Sequence, residues 1–200
     1  MGDGFTLNKA RFEAFSDGVF AIAITLLVLE FHLPTFAGQP SLAEEAHALV
    51  TIWPQYVVYA ATFLTVGVMW LNHNAQFRYI ERITYGMMIA NIVLLLLIAF
   101  LPFPTEVLAR FGITGVSVAY YGLTLILIST AYNIVYWQIL AAHPTMPRRP
   151  LAWSIVGLSA YPIATVVGLF IPFAGIALFT LLVIFYMLPV NMASVALRPE

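Results

Sequence analysis

Long runs of apolar residues dominate the chain, and short polar segments or segments with Pro and Gly separate them. A membrane-spanning helix needs about 20 mostly apolar residues, and six stretches of the sequence reach about this length. The alternating polar and apolar positions of a membrane β-barrel strand are absent from them. We therefore predict an all-α membrane protein with six transmembrane helices, which cover about residues 15–33, 48–71, 84–103, 113–140, 151–171 and 175–197.

Positive charge marks one side of this predicted bundle. Seven of the eight Lys and Arg residues precede the first span, follow the last, or lie in the connections after spans two and four; they are Lys9, Arg11, Arg78, Arg82, Arg148, Arg149 and Arg198. The opposite side carries Arg110 alone. Cytoplasmic segments are enriched in Lys and Arg, so we predict that both termini are cytoplasmic. The connections leave no room for a soluble domain, and residues 1–200 are predicted to form a single membrane domain.

The composition excludes several classes of function. Hydrophobic residues make up 62% of the chain and charged residues 8%, and the mean hydropathy is +0.94, whereas a soluble domain is about 25% charged. The chain has no cysteine, which excludes disulfides, thiolate metal sites and thiol nucleophiles. A net charge of −1 provides no basic field for nucleic acid. No catalytic or phosphate-binding motif is present, so we expect neither enzyme activity nor a cofactor.

The first span carries different side chains on its two faces. At about 100° per residue, one stripe of the helix combines small residues with larger apolar ones and a single hydroxyl. The residues of this stripe are Ala14, Gly18, Ile22, Thr25, Leu26 and Leu29. Asp17 points about 140° away from Ile22. Because Glu13 and Asp17 lie where a signal peptide carries positive charge, we predict a retained helix rather than a cleaved signal.

Asp17 needs a partner inside the membrane. A carboxylate in a transmembrane helix costs at least about 2.5–3.5 kcal/mol when it is unpaired. Asn72 and His73 end the second predicted span at the same depth as Arg11, Ser16 and Asp17. We therefore expect Asn72 and His73 to be the partners of Asp17, by charge or by hydrogen bonding. An interfacial histidine that is merely solvated or satisfied elsewhere is the open alternative.

Two interpretations of the stripe remain open from the residues alone. In the first, the stripe packs against other helices and Asp17 is a structural anchor. In the second, several copies of the helix surround a narrow pore, in which rings of Ile or Leu exclude water and Thr25 forms a polar layer. Glu30, at the far end of the helix, either attracts cations to the pore mouth or is simply solvated.

Other polar and helix-breaking residues have structural interpretations. Asn91 and Asn133 lie in the middle of predicted spans, where amides are typical of contacts between helices. Pro54 and Pro162 lie inside apolar runs, where membrane helices tolerate a proline kink.

The run Arg11-Phe-Glu-Ala-Phe-Ser-Asp-Gly18 resembles the first-helix signature of the transmembrane protein 175 family. These proteins are potassium-selective channels of animal endosomes and lysosomes and their bacterial relatives. The run Trp70-Leu-Asn-His73 resembles the second-helix motif of the family, and six spans match one family repeat. A single repeat resembles the bacterial form. The resemblance therefore implies a homotetramer in a bacterial plasma membrane, with four first helices around a pore for potassium ions.

The resemblance also implies roles for particular residues. Ile22 takes the position of a hydrophobic constriction, with Leu26 and Leu29 one and two turns further outward. Thr25 matches a threonine layer implicated in potassium preference. The residues that match or adjoin the polar network supporting the first helix are Arg11, Ser16, Asp17, Trp70, Asn72 and His73.

Three hypotheses for function follow. The favoured one is a tetrameric potassium channel with weak to moderate selectivity over sodium. The alternative is a proton-coupled secondary transporter in which Asp17 and His73 titrate; it predicts saturable, pH-coupled uptake, and inverted repeats with broken helices are not evident in the sequence. A structural or interaction protein, the third hypothesis, predicts no ion flux.

Overall fold

The computed structural model describes residues 8–78, 80, 82–144 and 151–187, and every regular element in them is helical. The helices are α1 (Lys9–Leu26), α2 (Leu42–Thr51), α3 (Trp53–Phe77), α4 (Tyr85–Phe100), α5 (Pro102–Phe111), α6 (Gly115–Ala142), α7 (Leu151–Phe170) and α8 (Pro172–Met187). A 3₁₀ turn, Leu27–Glu30, extends α1. The prediction of an all-helical protein is confirmed for this part of the chain.

The boundaries of α1 follow from local chemistry. The Asn8 side chain accepts a hydrogen bond from the Ala10 backbone N–H at 2.9 Å and caps the first turn. At the other end, the 3₁₀ turn closes and Phe31 adopts an extended backbone. The helix therefore begins at Lys9, six residues before the predicted start of the span at Phe15, and includes the whole Arg11-to-Gly18 run.

The second predicted span is two helices in the structure. The apolar pattern predicts one span over residues 48–71, whereas α2 ends at Thr51 and α3 runs from Trp53 to Phe77. Pro54 has no backbone N–H, so it is tolerated in the first turn of a helix but not in its interior. The separation at Ile52 places Pro54 in that first turn of α3.

A second proline separates α4 from α5. The predicted span over residues 84–103 ends where Leu101 and Pro102 interrupt the helix, and α5 continues to Phe111 in a segment that had no predicted helix. The Leu101 backbone N–H bonds to Ile98 O, three residues earlier, so the chain makes a tighter helical turn at this point. Together the two helices form an apolar segment over Tyr85–Phe111.

Four segments of the described chain are long and apolar enough to cross a membrane: Lys9–Glu30, Trp53–Phe77, Tyr85–Phe111 and Gly115–Ala142. The apolar helices α7 and α8 are shorter, and the end of the predicted sixth span, residues 188–197, lies outside the described residues. Arg148, Arg149 and Arg198 lie outside them too. Six spans and cytoplasmic termini therefore stay predictions.

Helix α6 is the centre of the packing. It contacts α4, α5, α7 and α8 along its length, and its buried side chains include Tyr121, Leu125, Ile128 and Val135. Helix α1 lies at the edge of this bundle, where it contacts α3 and α4. A helix at an edge buries one face and leaves the other open, and this position defines the site below.

Candidate functional site

The stripe predicted on the first span is the open face of α1. Ile22 is 62% exposed and Leu29 69% exposed, and the other stripe residues are exposed as well. We call this surface the open face; its residues are Ala14, Gly18, Ile22, Thr25, Leu26 and Leu29. No other part of the described chain covers it. In a membrane, such a surface meets either lipid or another protein chain.

The opposite face of α1 is packed into the subunit. The side chains of Phe12, Phe20, Ala23 and Leu27 are at most 4% exposed, and Ser16 is fully buried among them. They recur at intervals of three, four and eight residues, which is the period of one helix face. The sequence thus directs α1 to present two different surfaces, one to its own subunit and one away from it.

A buried chain of hydrogen bonds holds the packed face of α1. The Asn91 amide of α4 donates to Ser16 Oγ at 2.9 Å, and Ser16 Oγ donates to Phe12 O at 3.0 Å. His73 Nε2 of α3 donates to Asn91 Oδ1 at 2.7 Å. Asn91 therefore links α1, α3 and α4, as its mid-span position predicted. Rings of Phe20 and Phe77 flank the His73 imidazole.

Asp17 has a different partner from the expected ones. Trp70 Nε1 of α3 donates to Asp17 Oδ1 at 2.8 Å. Asn72 donates instead to Val68 O of its own helix, and His73 donates to Asn91. Neither Asn72 nor His73 therefore hydrogen-bonds Asp17, and this part of the expectation is wrong, whereas His73 does lie close enough to Asp17 for a charge interaction. Residues 70 and 73 lie on one helix face, and Trp70 is itself part of the predicted network, so the expected side of α3 faces Asp17 but through a different residue of the motif.

Arg11 lies apart from this polar network. Its side chain is exposed, whereas the ion pair near the start of α1 joins Lys9 to Glu13 at 3.7 Å. Among the described residues, no hydrogen bond or ion pair to Arg11 is present. The structure therefore brings together Ser16 and His73 through Asn91, and Asp17 with Trp70, but leaves Arg11 and Asn72 outside both groups.

The hydroxyl of Thr25 donates to the backbone of its own helix. Its hydrogen is directed to the backbone, because Oγ1 lies 2.9 Å from both Ala21 O and Ile22 O. A hydroxyl has one donor hydrogen and two acceptor lone pairs. With the hydrogen occupied, the lone pairs of Thr25 face outward on the open face. Thr25 is therefore an acceptor toward anything that approaches that face.

The far end of α1 is tied down by Gln55, a residue that the sequence analysis did not single out. Its side-chain amide accepts from His32 N at 2.9 Å and donates to His32 O at 3.2 Å and to Ala109 O of α5 at 3.3 Å. The partners of Gln55 are backbone groups, which the pattern of side chains does not reveal. The only sequence signal for this contact is a glutamine inside an apolar run. These bonds hold the segment that follows α1 against α3 and α5.

Charged groups gather at the same end. His32 Nε2 lies 3.9 Å from Glu106 Oε1, and Arg110 Nη1 lies 3.8 Å from the same oxygen. His32 Nδ1 is 2.8 Å from Glu30 O. No group of three or more His, Cys, Asp or Glu side chains in the described part of the chain could hold a metal ion. The arrangement pairs Glu106 with Arg110 and places the His32 ring beside it.

Comparison with known proteins gives concordant matches. The family model described as "Endosomal/lysosomal potassium channel TMEM175" matches residues 11–102. A protein of Streptomyces collinus named as a potassium channel is 38% identical over 136 residues, which are 66% of this chain and 65% of that relative. The match thus spans slightly less than two thirds of that relative. A protein of Chamaesiphon minutus, also named as a potassium channel, is 34% identical over 71% of each chain.

A solved structure is similar along nearly the whole chain. The crystal structure of a homologue from Chamaesiphon minutus, described as a lysosomal potassium-selective channel, superposes with a TM-score of 0.78 at 29% identity. The superposition covers 92% of this chain and 98% of that one. The likeness therefore extends well beyond the residues that the family model matches.

Proposed function

Because this chain belongs to the TMEM175 family, we propose that it forms a potassium channel in the bacterial plasma membrane. The family and the solved relative are ion channels and not enzymes, in agreement with the prediction from sequence motifs. The membrane-spanning helices make the chain an integral membrane protein. The relatives named as potassium channels support the choice of ion.

The observation that carries the proposal is the open face of α1. A monomer exposes Ile22, Thr25 and Leu29 on a helix whose other face is fully packed. Small residues on a membrane helix allow close approach of another helix, and Ala14 and Gly18 provide them at one end of the open face. Four copies that turn this face toward a common axis would enclose a pore without any rearrangement of the subunit.

Large apolar side chains would form the narrow part of that pore. Ile22, Leu26 and Leu29 follow each other at intervals of four and three residues, so each contributes a ring in a tetramer. Hydrophobic constrictions exclude water and can close a channel by dewetting. We therefore assign the constriction to Ile22, with Leu26 and Leu29 as further rings toward the Glu30 end.

Thr25 would supply the polar layer between these rings. Its lone pairs face outward because the hydroxyl hydrogen is bonded to the backbone. A ring of hydroxyl oxygens replaces part of the hydration shell of a cation that passes, which is the principle of an oxygen-lined selectivity filter. We propose that this layer gives a preference for potassium over sodium.

The polar groups behind α1 would hold the pore helix at a constant distance from the axis. Ser16 and His73 act through Asn91, and Asp17 acts through Trp70. Arg11 and Asn72 were predicted to match or adjoin the same polar network but bond neither group within a subunit. We assign Arg11 to a contact between subunits and Asn72 to the stability of α3.

The experiment measures bi-ionic reversal potentials in a planar bilayer, with potassium on one side and sodium on the other. A potassium preference makes the potassium side negative. We expect Ile22→Asn to raise the conductance severalfold, because an amide ring is wider and wetter than an isoleucine ring. Ile163→Asn is the matched control, since Ile163 is 59% exposed and lies on α7, which packs mainly against α6 and α8, and it should leave the conductance unchanged.

The same assay separates the channel from the proton-coupled transporter. A transporter would show saturable flux that depends on the pH gradient, would lose it in Asp17→Asn, and would tolerate Ile22→Asn. Asp17 and His73 bond to different partners in the subunit, Trp70 and Asn91, instead of forming a hydrogen-bonded pair, which disfavours a shared proton. An unchanged conductance in Ile22→Asn would contradict the pore assignment.

A further inference from the structure

Helix α2 has an apolar face that the rest of the described chain leaves uncovered. Leu42 is 84% exposed and Val50 70% exposed, and Leu49 is also exposed. Ala46 lies between them on the same face, at helical spacings of four and three residues from Leu42 and Leu49. Ala48 is the buried residue of this helix. An apolar face of this size in water is unfavourable, so something covers it.

Exposed apolar side chains lie on both sides of the junction between α2 and the membrane span. Leu42 and Leu49 lie seven residues apart on α2, Tyr56 and Phe63 lie seven residues apart on α3, and all four are exposed. Residues seven apart lie on nearly the same side of a helix, so each of the two helices has an exposed apolar face near the junction. Trp53, also exposed, marks the first residue of α3. Exposed Trp and Tyr at the end of a span are typical of the boundary between acyl chains and headgroups.

The opposite face of α2 is polar. Glu44, His47 and Thr51 recur at intervals of three and four residues, about half a turn away from Leu42 and Leu49. The Ser41 backbone N–H and hydroxyl both donate to the Glu44 carboxylate and lower the pKa of that carboxyl. Glu44 therefore stays ionised near neutral pH. A charged face opposite an apolar face is the pattern of a helix that lies in the plane of a membrane interface.

We propose that α2 lies in the headgroup region of the leaflet at the Trp53 end of α3, with Leu42, Leu49 and Val50 among the acyl chains of zwitterionic phospholipids. One residue, Ile52, separates α2 from the span, so the helix cannot be far from the membrane. It contains Glu44 and Glu45 but no Lys or Arg, which disfavours anionic headgroups. The same two acidic residues disfavour contact with the α2 helices of other subunits, because like charges repel.

The test uses the absence of native cysteine, which makes every introduced cysteine unique. Leu49→Cys and His47→Cys place a fluorescent label on the two faces of α2, and both positions are exposed, so the substitutions leave the packing intact. Each labelled protein is reconstituted in phosphatidylcholine vesicles. Quenching by a nitroxide on the lipid acyl chain is then compared with quenching by iodide in the water. Ion conduction is not needed, so failure of this test is distinct from failure of the channel proposal.

We expect the lipid nitroxide to quench the label at position 49 severalfold more strongly than the label at position 47, and iodide to show the reverse order. Equal quenching of the two labels by iodide would mean that α2 stands in water and would overturn the proposal. Protection of the label at position 49 from both quenchers would overturn it too, in favour of a second copy of the chain.

A second arm tests the choice of lipid. Vesicles in which part of the phosphatidylcholine is replaced by phosphatidylglycerol should give equal or weaker lipid quenching at position 49, because Glu44 and Glu45 are repelled by the anionic surface. Glu45→Gln removes one of these charges and should reduce the difference between the two vesicles. Stronger quenching in the anionic vesicles would contradict the assignment to zwitterionic lipid.

Discussion

Glycines in two regions of the bundle have opposite surroundings. In α7 and α8, Gly168 and Gly175 face each other so closely that a Cβ at Gly175 would collide with the Gly168 Cα. In α1 and α3, Gly18 and Gly67 have no atom within 4 Å of the place where a Cβ would stand, apart from their own helices and chain neighbours. Gly168 and Gly175 form a contact inside the subunit, whereas Gly18 and Gly67 face space that no other helix of the subunit fills.

On the proposed function, this difference separates helices that hold the subunit together from a surface that meets other subunits. Glycine in a membrane helix costs helix stability but lets another helix approach closely. In α7 and α8 this close approach already exists within the chain. In α1 the glycine lies on the open face, beside Ile22 and Thr25. We interpret α6, α7 and α8 as the part that holds the subunit together and α1 as the part that meets other subunits.

The largest expected effect is the loss of the contact between α7 and α8. Gly175→Ala inserts a methyl group against backbone that cannot rotate away, and overpacking of this kind costs about 3 kcal/mol. We expect a clear fall in the free energy of unfolding, measured by circular dichroism of the detergent-solubilised protein. Gly67→Ala is the matched control and should be neutral or slightly stabilising, because its Cβ meets open space and Ala favours the helix.

Equal destabilisation by Gly175→Ala and Gly67→Ala would break the comparison. It would mean that α3 is packed as tightly within the subunit as α8, and that the open glycines do not mark a surface for a partner.

A smaller effect is expected from the hydrogen bonds behind α1. Asn91→Leu removes the bonds to Ser16 and His73 and leaves both groups buried without that partner, which costs about 1–2 kcal/mol. Asn133→Leu is the control, because Asn133 is also buried but donates to Ser129 O within its own helix. The unfolding midpoints of the two variants should differ, and Asn91→Leu should be the less stable. If Asn133→Leu were the less stable variant, Asn91 would not be the link that stabilises the three helices.

The smallest effect on stability is expected on the open face itself. Thr25→Val should change the free energy of unfolding by no more than about 0.5 kcal/mol, as for other exposed positions, yet lower the preference for potassium over sodium. Thr130→Val on α6 is the control, since Thr130 is exposed and likewise donates to the carbonyl four residues earlier. Reversal potentials should shift for Thr25→Val alone, and an identical shift in both variants would exclude a specific role for the Thr25 layer.

The periodicity of α1 was readable from the sequence because a helix has a fixed period. Once Ser16 and Phe20 are placed on one side, Gly18 and Ile22 must face another. No tertiary information is needed for this separation into two faces, but the residues alone left open whether the stripe packs within the subunit or is exposed. What covers each face is a property of the other helices and of other chains.

The partner of Asp17 was not predictable at the same level. Trp70 and His73 are both on the side of α3 that faces α1. Which of them reaches Asp17 depends on how far α1 is shifted along α3, and a shift of less than one helical turn decides it. The end of α3 was missed for a related reason: Asn72 and His73 lower the hydropathy after residue 71, but contacts with α1 and α4 bury His73 and allow the helix to continue to Phe77. A hydropathy profile does not show that a polar side chain is buried by a hydrogen-bond partner on another helix.

The measurement that tests the central account most directly is chemical block of the pore at Leu29. Leu29→Cys introduces a unique thiol at a position that is 69% exposed in the subunit, and Leu96→Cys does so on α4 at a position that is 66% exposed. We predict that a cationic, water-soluble thiol reagent reduces potassium flux through Leu29→Cys channels and leaves Leu96→Cys channels unaffected. Unchanged flux through Leu29→Cys channels after treatment would contradict a pore lined by α1.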